Sequence, residues 1–235
     1  MKVLIIVPAY NEEKNIVESI ENLYNENPEW DIVVINDGST DKTAQAANST
    51  QKAFIVNLPC NLGIGGAVQT GFVFARNYGY DAAVQYDGDG QHIASEIHKL
   101  LELLENGDCD VAIGSRFAYK HDGWKSSFLR RIGIKVFEIL NSALIMQRIT
   151  DNTSGFRAYN RQAIEFVSRI YPTDYPEPEA VILLGKNSFK FKEVPVVMKK
   201  RQWGRSSIVG MKSVYYMLKV ILAILITSIR KKIRK

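Results

Sequence analysis

Short apolar, β-branched runs alternate with helix-length segments along the first half of the chain. The runs are Val3 to Val7, Asp31 to Ile35, Ala53 to Val56, Ala82 to Tyr86 and Val111 to Ile113. Each is followed by polar or glycine-bearing residues and then by a helical pattern. That succession is the βαβ signature of a mostly parallel sheet flanked by helices, a Rossmann-like α/β fold. In such sheets ligands sit beyond the carboxyl ends of the strands. The residues expected there are Pro8 to Glu13, Asn36 to Asp41, Asn61 to Gly66 and Asp87 to His92, and they are the chemically rich segments of the sequence.

No linker, repeat or low-complexity stretch interrupts residues 1–200. Two later segments read differently. Phe128 to Met146 is long and apolar with Arg130, Arg131, Lys135 and Glu138 at intervals, which suits either a core-facing helix or one lying on a bilayer. Val214 to Ile229 carries one charge, Lys219, and as a helix would be about 24 Å long, short of a roughly 30 Å hydrocarbon core. Tyr215 and Tyr216 stand at one end and RKKIRK at the other, a pattern for a membrane-embedded or in-plane anchor. A buried helix in a dimer interface is the alternative. The expected division is a catalytic domain over 1–210 and a membrane-associating helix with a basic tail over 211–235.

Composition sharpens this picture in one respect. The chain has 235 residues, 46% of them hydrophobic, enough for one substantial core. Its formal net charge of +5 is concentrated at the end, where Arg230, Lys231, Lys232, Arg234 and Lys235 follow the apolar stretch. A nucleic-acid reader would spread its basic groups over a groove-facing stripe. A terminal cluster suits an anionic membrane surface, at about 1 kcal/mol per basic residue. The two cysteines, Cys60 and Cys109, form no CxxC pattern, so neither a disulfide framework nor a thiolate metal site is indicated. The opening MKVLIIVPAYNEE is too short in its apolar run, and too acidic after it, for a secretory signal. The expected location is therefore the cytoplasmic face of the cell membrane, peripheral or tail-anchored.

The segment QYDGDGQH, residues 85–92, closes an apolar strand with two carboxylates separated by one glycine. Asp87 and Asp89 at a strand end splay into a loop, and Gly88 lets a diphosphate approach the backbone. With Gln91 as a neutral oxygen donor the set suits Mg²⁺ or Mn²⁺, which complete their shells with water and substrate phosphates. Alone, DGDG is a weak signal that also reads as no more than a turn. NLGIGGAVQTG, residues 61–71, has Val68 where a dinucleotide fingerprint needs its third glycine and lacks the acidic partner further on. No GxxxxGK[ST] occurs, which removes a P-loop nucleotidase. His92 and His98, six residues apart, do not share a helix face and are read as non-ligands.

PAYNEE after the first strand, NDGSTD after the second and DGDGQH after the fourth form an ordered set over one sheet edge. Together they resemble glycosyltransferase family 2, and within it the polyprenyl-phosphate sugar synthases, over about residues 1–210. The resemblance implies the GT-A fold and a metal-dependent, inverting sugar transfer from a nucleotide sugar. It implies that Pro8, Ala9, Tyr10 and Glu12, with Asp37, hold the nucleoside. Asp87, Asp89 and Gln91 would hold the metal against the donor diphosphate, with Gly88 between them. GSRF at 114–117 is similar to the family's GSRY and makes Arg116 a candidate for the acceptor phosphate, with Arg130 or Arg131 a second. DNTSGFRAY, residues 151–159, is similar to a segment that shapes the sugar pocket. RQWGRSSI resembles a mobile RxxGxS loop in which Arg201, Ser206 and Ser207 close over the diphosphate. The catalytic set implied is Asp89, Arg116, Arg131 and Arg201.

Acidity decides what each acceptor would require of the enzyme. A monophosphate has a second pKa near 6 and arrives largely ionised, so it needs arginines rather than a base. A sugar hydroxyl needs a positioned carboxylate at about 2.6–3.2 Å, and Asp174, Glu177 and Glu179 in TDYPEPE could supply one. This stretch departs from the family pattern, and the same prolines suit a rigid loop into a helix from Ala180 to Leu184. The apolar and basic tail favours a polyprenyl (undecaprenyl) phosphate met in the plane of the membrane. UDP-glucose or UDP-N-acetylglucosamine is the expected donor, ahead of GDP-mannose. The lack of a multi-span C-terminal region calls for a small membrane-protein partner or a homo-oligomer, and nucleic acid is not an expected partner. The rivals are a transferase acting on a hydroxyl of a cell-wall or capsular polysaccharide, and a non-catalytic nucleotide-sugar-binding scaffold.

Overall fold

The computed structural model describes residues 1–88, 90–116, 138–174, 176–199, 211–230 and 232, with side chains in the last stretch described from 219 onward. The chain forms a three-layer α/β/α domain. Its strands are β1 (Val3–Ala9), β2 (Asp31–Asn36), β3 (Phe54–Asn57), β4 (Ala82–Gln85), β5 (Val111–Ser115), β6 (Arg157–Asn160) and β7 (Phe191–Pro195). They make one sheet in the order β3-β2-β1-β4-β6-β5-β7. All neighbours are parallel except β6, which runs antiparallel to both β4 and β5.

The helices are α1 (Ile16–Glu26), α2 (Thr43–Ser49), α3 (Gly63–Asn77), α4 (Ile97–Glu105), α5 (138–145), α6 (Arg161–Arg169), α7 (Pro176–Lys186) and α8 (Met211–Ile229). The strands are apolar on both faces because each face has its own helical layer. Leu4 and Ile6 of β1 join Val33 and Ile35 of β2 in a core shared with α3, α6, α7 and α8. Val3, Ile5 and Val7, with Ile32 and Val34, face the opposite way into a core with α1 and α4. This two-residue alternation is what a strand's geometry imposes.

Observed strands agree with the five apolar runs to within a residue or two. β6 and β7 are additions. The expected helix from Ala180 to Leu184 is longer: it starts at Pro176, so Pro176 and Pro178 occupy the first turn, where a missing N–H costs nothing. Of Phe128 to Met146 only 138–146 lie among the described residues, and 138–145 are helical.

α8 is not a separate appendage. It packs along α7, burying Val220, Ile224 and Thr227. Lys186 at the end of α7 donates to the carbonyls of Thr227 and Ser228 at the end of α8 and to that of Arg230 just beyond it. Thr227 Oγ1 donates to Glu179 Oε1 at 2.7 Å. Among the described residues no helix is long and apolar enough to cross a membrane.

Candidate functional site

Because β1, β2, β4, β5 and β7 are parallel, their carboxyl ends open on one edge. The antiparallel β6 begins at that same edge. PAYNEE follows β1, NDGSTD follows β2, DGDGQH follows β4, and Arg116 follows β5. The residues before Arg157 lead into β6, and the segment toward Arg201 follows β7. β1 and β4 are direct neighbours, and the chain crosses to opposite sides of β1 to reach β2 and β4. Such a switch point opens a crevice, and Asp87 stands at its rim.

The first two loops are locked together. Asn11 adopts φ 57°, a left-handed conformation asparagine tolerates. Its amide donates to Ser39 Oγ at 3.0 Å, and its Oδ1 accepts from the Thr40 amide at 2.9 Å. The Glu12 amide donates to Thr43 Oγ1 at 2.8 Å, and Glu12 Oε2 accepts from Asn15 Nδ2 at 2.7 Å. Pro8 and Ala9 are buried, whereas Tyr10 is exposed at the crevice edge. Asp37 is buried, and its Oδ1 accepts from the Leu62 amide at 2.7 Å. It therefore ties NDGSTD to the start of α3, a structural duty alongside any contact with a nucleoside. Gly65 of NLGIGG serves packing: a Cβ there would lie 2.3 Å from the Pro172 carbonyl oxygen. Only glycine lets α3 start against that segment.

Across the crevice a polar cluster lies under Asp87. Arg116 Nε and Nη2 donate to the two carboxylate oxygens of Asp151 at 2.8 and 2.7 Å, a bidentate pair with Asp151 fully buried. Nη2 also reaches Thr153 Oγ1 at 2.7 Å. Burial works against the guanidinium charge; the Asp151 pair outweighs it, helped by Asp87 and Glu177, and holds the Arg116 pKa above its ordinary value. Glu193 of β7 accepts from the Thr150 and Asp151 amides at 2.8 and 2.7 Å.

Arg157, fully buried, donates to three carbonyls: Ser154 at 2.8 Å, Asn152 at 3.0 Å and Glu177 at 3.0 Å. It stitches DNTSGF to the first turn of α7. Gly155 completes the cradle. A Cβ there would stand 3.1 Å from Gln85 Nε2 and 3.2 and 3.4 Å from the Asp87 carboxylate oxygens. Gln85 Nε2 is buried and finds no hydrogen-bond partner among the described residues.

The three acids of TDYPEPE separate. Asp174 is exposed and Glu179 is engaged with Thr227 on α8. Glu177 faces the cluster. Burial pushes its carboxyl above the ordinary 4.5; Arg157 and Arg116 oppose the shift and Asp87 adds to it. The folded state thus holds this proton more tightly than the unfolded chain, so ionised Glu177 costs stability at neutral pH. The cost falls away as pH drops through the raised value, and is gone below 4.5. Glu177→Gln is therefore expected to melt a few degrees above wild type at neutral pH and to lose that advantage below the ordinary carboxylate range. Paired melting curves across pH check it.

The structure brings Pro8, Ala9, Tyr10, Glu12, Asp37, Asp87, Gly88, Gln91 and Arg116 to one edge. Asp89, Arg130, Arg131, Arg201, Ser206 and Ser207 lie outside the described residues, and among those described no group of three His, Cys, Asp or Glu side chains gathers in metal-binding geometry. The Gln91 carbonyl accepts from the Lys199 amide at 2.8 Å, so the chain leading to Arg201 leaves from beside DGDGQH. Asp151 and Arg157 lie within DNTSGFRAY and Gln85 within QYDGDGQH, but the motifs gave none of the three a role of its own. No local pattern marks Arg157, which opens the short strand RAYN.

A mostly parallel sheet with an acidic loop at its switch point and an antiparallel strand beside it defines a GT-A-like α/β transferase. A family model described as Glycosyl transferase family 2 matches residues 4–167, and the chain belongs to that family. It is 29% identical over 238 residues to the UDP-N-acetylglucosamine–dolichyl-phosphate N-acetylglucosaminyltransferase of Methanococcus voltae, covering 92% of this chain and 94% of that one. It is 28% identical over 222 residues to the undecaprenyl-phosphate mannosyltransferase of Micrococcus luteus, covering 89% and 88%. Among solved structures, glucosyl-3-phosphoglycerate synthase from Mycobacterium tuberculosis, in complex with Mn²⁺, UDP and glucosyl-3-phosphoglycerate, superposes with a TM-score of 0.73 at 19% identity. That match covers 97% of this chain and 80% of that one, and it speaks to the fold.

Proposed function

We propose that this family 2 glycosyltransferase moves a sugar, with inversion, from a nucleotide sugar to a polyprenyl phosphate at the cytoplasmic face of a membrane. The observation that carries the reading is the convergence of the interlocked β1 and β2 loops, the Asp87 carboxylate and the Arg116 cluster on one sheet edge. The relatives' names support the acceptor class. UDP-N-acetylglucosamine or UDP-glucose is the proposed donor ahead of GDP-mannose, and the Methanococcus voltae relative is named for the first of these.

The residues present fit a divalent cation. Asp87 presents a partly exposed carboxylate against Gly155, where any Cβ would press to 3.2 Å from it. Asp89 and Gln91 would complete a hard oxygen set for Mg²⁺ or Mn²⁺. When bound, the cation neutralises charge developing on the leaving nucleoside diphosphate. The chain's own part is to hold the nucleoside between the β1 and β2 loops and to present positive potential to the acceptor phosphate. Arg131 and Arg201 are proposed to supply that potential by touching the phosphates directly, with Arg116, its charge balanced by Asp151, as a further donor to the acceptor phosphate. Ser206 and Ser207 are proposed to close over the diphosphate.

Glu177 separates the two acceptor readings. An ionised lipid phosphate needs no base, so Glu177→Gln is expected to keep transfer to polyprenyl phosphate within about tenfold of wild type. A hydroxyl acceptor would lose about 10²–10⁴-fold with its base. Comparing initial rates on a polyprenyl phosphate and on a soluble glycan decides between them.

The outer face of α8 supports membrane contact. Leu222, Leu225, Ile226 and Ile229 are exposed at 58, 41, 45 and 81%, spaced to form one stripe opposite the face docked on α7. An in-plane helix with its basic tail at the headgroups fits these residues. Leu222→Glu combined with Ile226→Glu is expected to leave the melting temperature unchanged and to weaken binding to vesicles containing anionic lipid by at least about tenfold. Unchanged co-sedimentation would remove α8 from the membrane contact.

A further inference from the structure

From the packing of the DGDGQH loop we infer that His92 is a positioning residue for Asp87, fixing both its backbone and the direction of its carboxylate. The inference deepens the proposed function and rests on its reading of Asp87 as a metal ligand.

His92 is buried, its side chain 2% exposed. Its ring stacks on Phe156 with centroids 4.7 Å apart and planes at 27°, and meets Tyr86 edge-on at 5.4 Å. These two aromatics fix the plane of the imidazole. Within that plane the two nitrogens face one residue. Nδ1 lies 3.1 Å from the Asp87 amide nitrogen. An amide can only donate, so Nδ1 is the acceptor and the ring proton sits on Nε2. Nε2 in turn stands 3.8 Å from Asp87 Oδ2, too far for a hydrogen bond but close enough for its polar N–H to act on the carboxylate electrostatically.

The backbone of His92 is pinned as well. Its carbonyl accepts from Tyr86 Oη at 2.7 Å, and it forms an isolated antiparallel bridge with Met198. The loop that carries Asp87 therefore closes on a ring held on two sides, one chain link from Gln91. Groups behind a ligand that orient it are commonly worth 10–100-fold in metal affinity. The imidazole has no direct place in the reaction; it acts through Asp87.

The test is Mn²⁺ affinity, read from the electron paramagnetic resonance of free Mn²⁺, with UDP present and again with GDP. Wild type, Asp87→Asn, His92→Phe and His92→Asn are compared. Phenylalanine keeps the stack and removes both nitrogens; asparagine restores an acceptor at the place of Nδ1. The expected result is a 10–100-fold loss in His92→Phe, with melting close to wild type and most of the affinity recovered in His92→Asn. Wild-type affinity in His92→Phe overturns the inference. So does a loss that asparagine leaves uncorrected, because that is general damage to packing. If wild type binds no Mn²⁺ with either nucleotide, or Asp87→Asn binds it unchanged, the metal reading of Asp87 falls and this inference falls with it. A defect in Asp87→Asn without one in His92→Phe sinks the inference alone.

Discussion

Arg157→Met is expected to destabilise the protein by about 3–5 kcal/mol, a fall in melting temperature of roughly 6–20 °C at this chain length. The guanidinium is fully buried and donates to the carbonyls of Asn152, Ser154 and Glu177. Methionine fills similar volume but leaves three buried acceptors without those donors, and each orphaned group costs its desolvation. It also leaves Glu177 without its strongest opposing charge, Arg157 being the largest influence holding its pKa down. Arg157→Lys should not restore stability, since an ammonium cannot present the same planar fork. Urea unfolding of both variants measures the effect, and a loss under about 1 kcal/mol would mean the surrounding loop re-forms its bonds with water. The loop affected, DNTSGF, forms one wall beside Asp87, so activity should fall with stability.

Asp87→Asn is expected to act in the opposite manner, leaving the fold intact and removing transfer. The side chain is partly exposed, and its 3.8 Å approach to His92 is electrostatic rather than a hydrogen bond. Its loss removes a charged oxygen from the proposed cation set while keeping the shape. Groups that stabilise charge developing on a leaving group are each worth about 10²–10³-fold in turnover, and the fall should be at least that large. Melting within a few degrees of wild type, together with this loss, separates chemistry from folding.

The sequence made the parallel part of the sheet readable because buried strands flanked by helices are continuous apolar runs with turn residues behind them. β6 and β7 escaped for specific reasons. β6 is RAYN, with a buried arginine in a central strand, which period and hydropathy both count against. β7 is FKEVP, an edge strand with a lysine, a glutamate and a terminal proline, as edges commonly have. The early end drawn for the last run missed Gly114 and Ser115, which pair with Val194 and Pro195. No local pattern reveals that partner strand.

The site divides along the same line. The loops after β1, β2 and β4 could be read because their residues are contiguous and chemically unusual. What lies beneath them could not, because it is assembled from distant segments: Asp151 under Arg116, Glu193 under Thr150, Arg157 under Glu177. Arg116 shows the consequence. Sequence presents it as a phosphate ligand, and the structure places its guanidinium in a bidentate pair with Asp151. Glu179, one of three candidate bases, is engaged with Thr227 instead. Glycines 65 and 155 are both close approaches between elements, which their sequence context does not reveal.

The central claim is tested most directly by radiolabelled sugar transfer. Membranes containing the protein or its Asp87→Asn variant are supplied with UDP- and GDP-sugars in turn, and organic-extractable lipid is counted. The account predicts label in the lipid phase from one donor, dependent on Mg²⁺ or Mn²⁺ and absent with Asp87→Asn. A donor that binds and yields labelled glycan but no labelled lipid would contradict it.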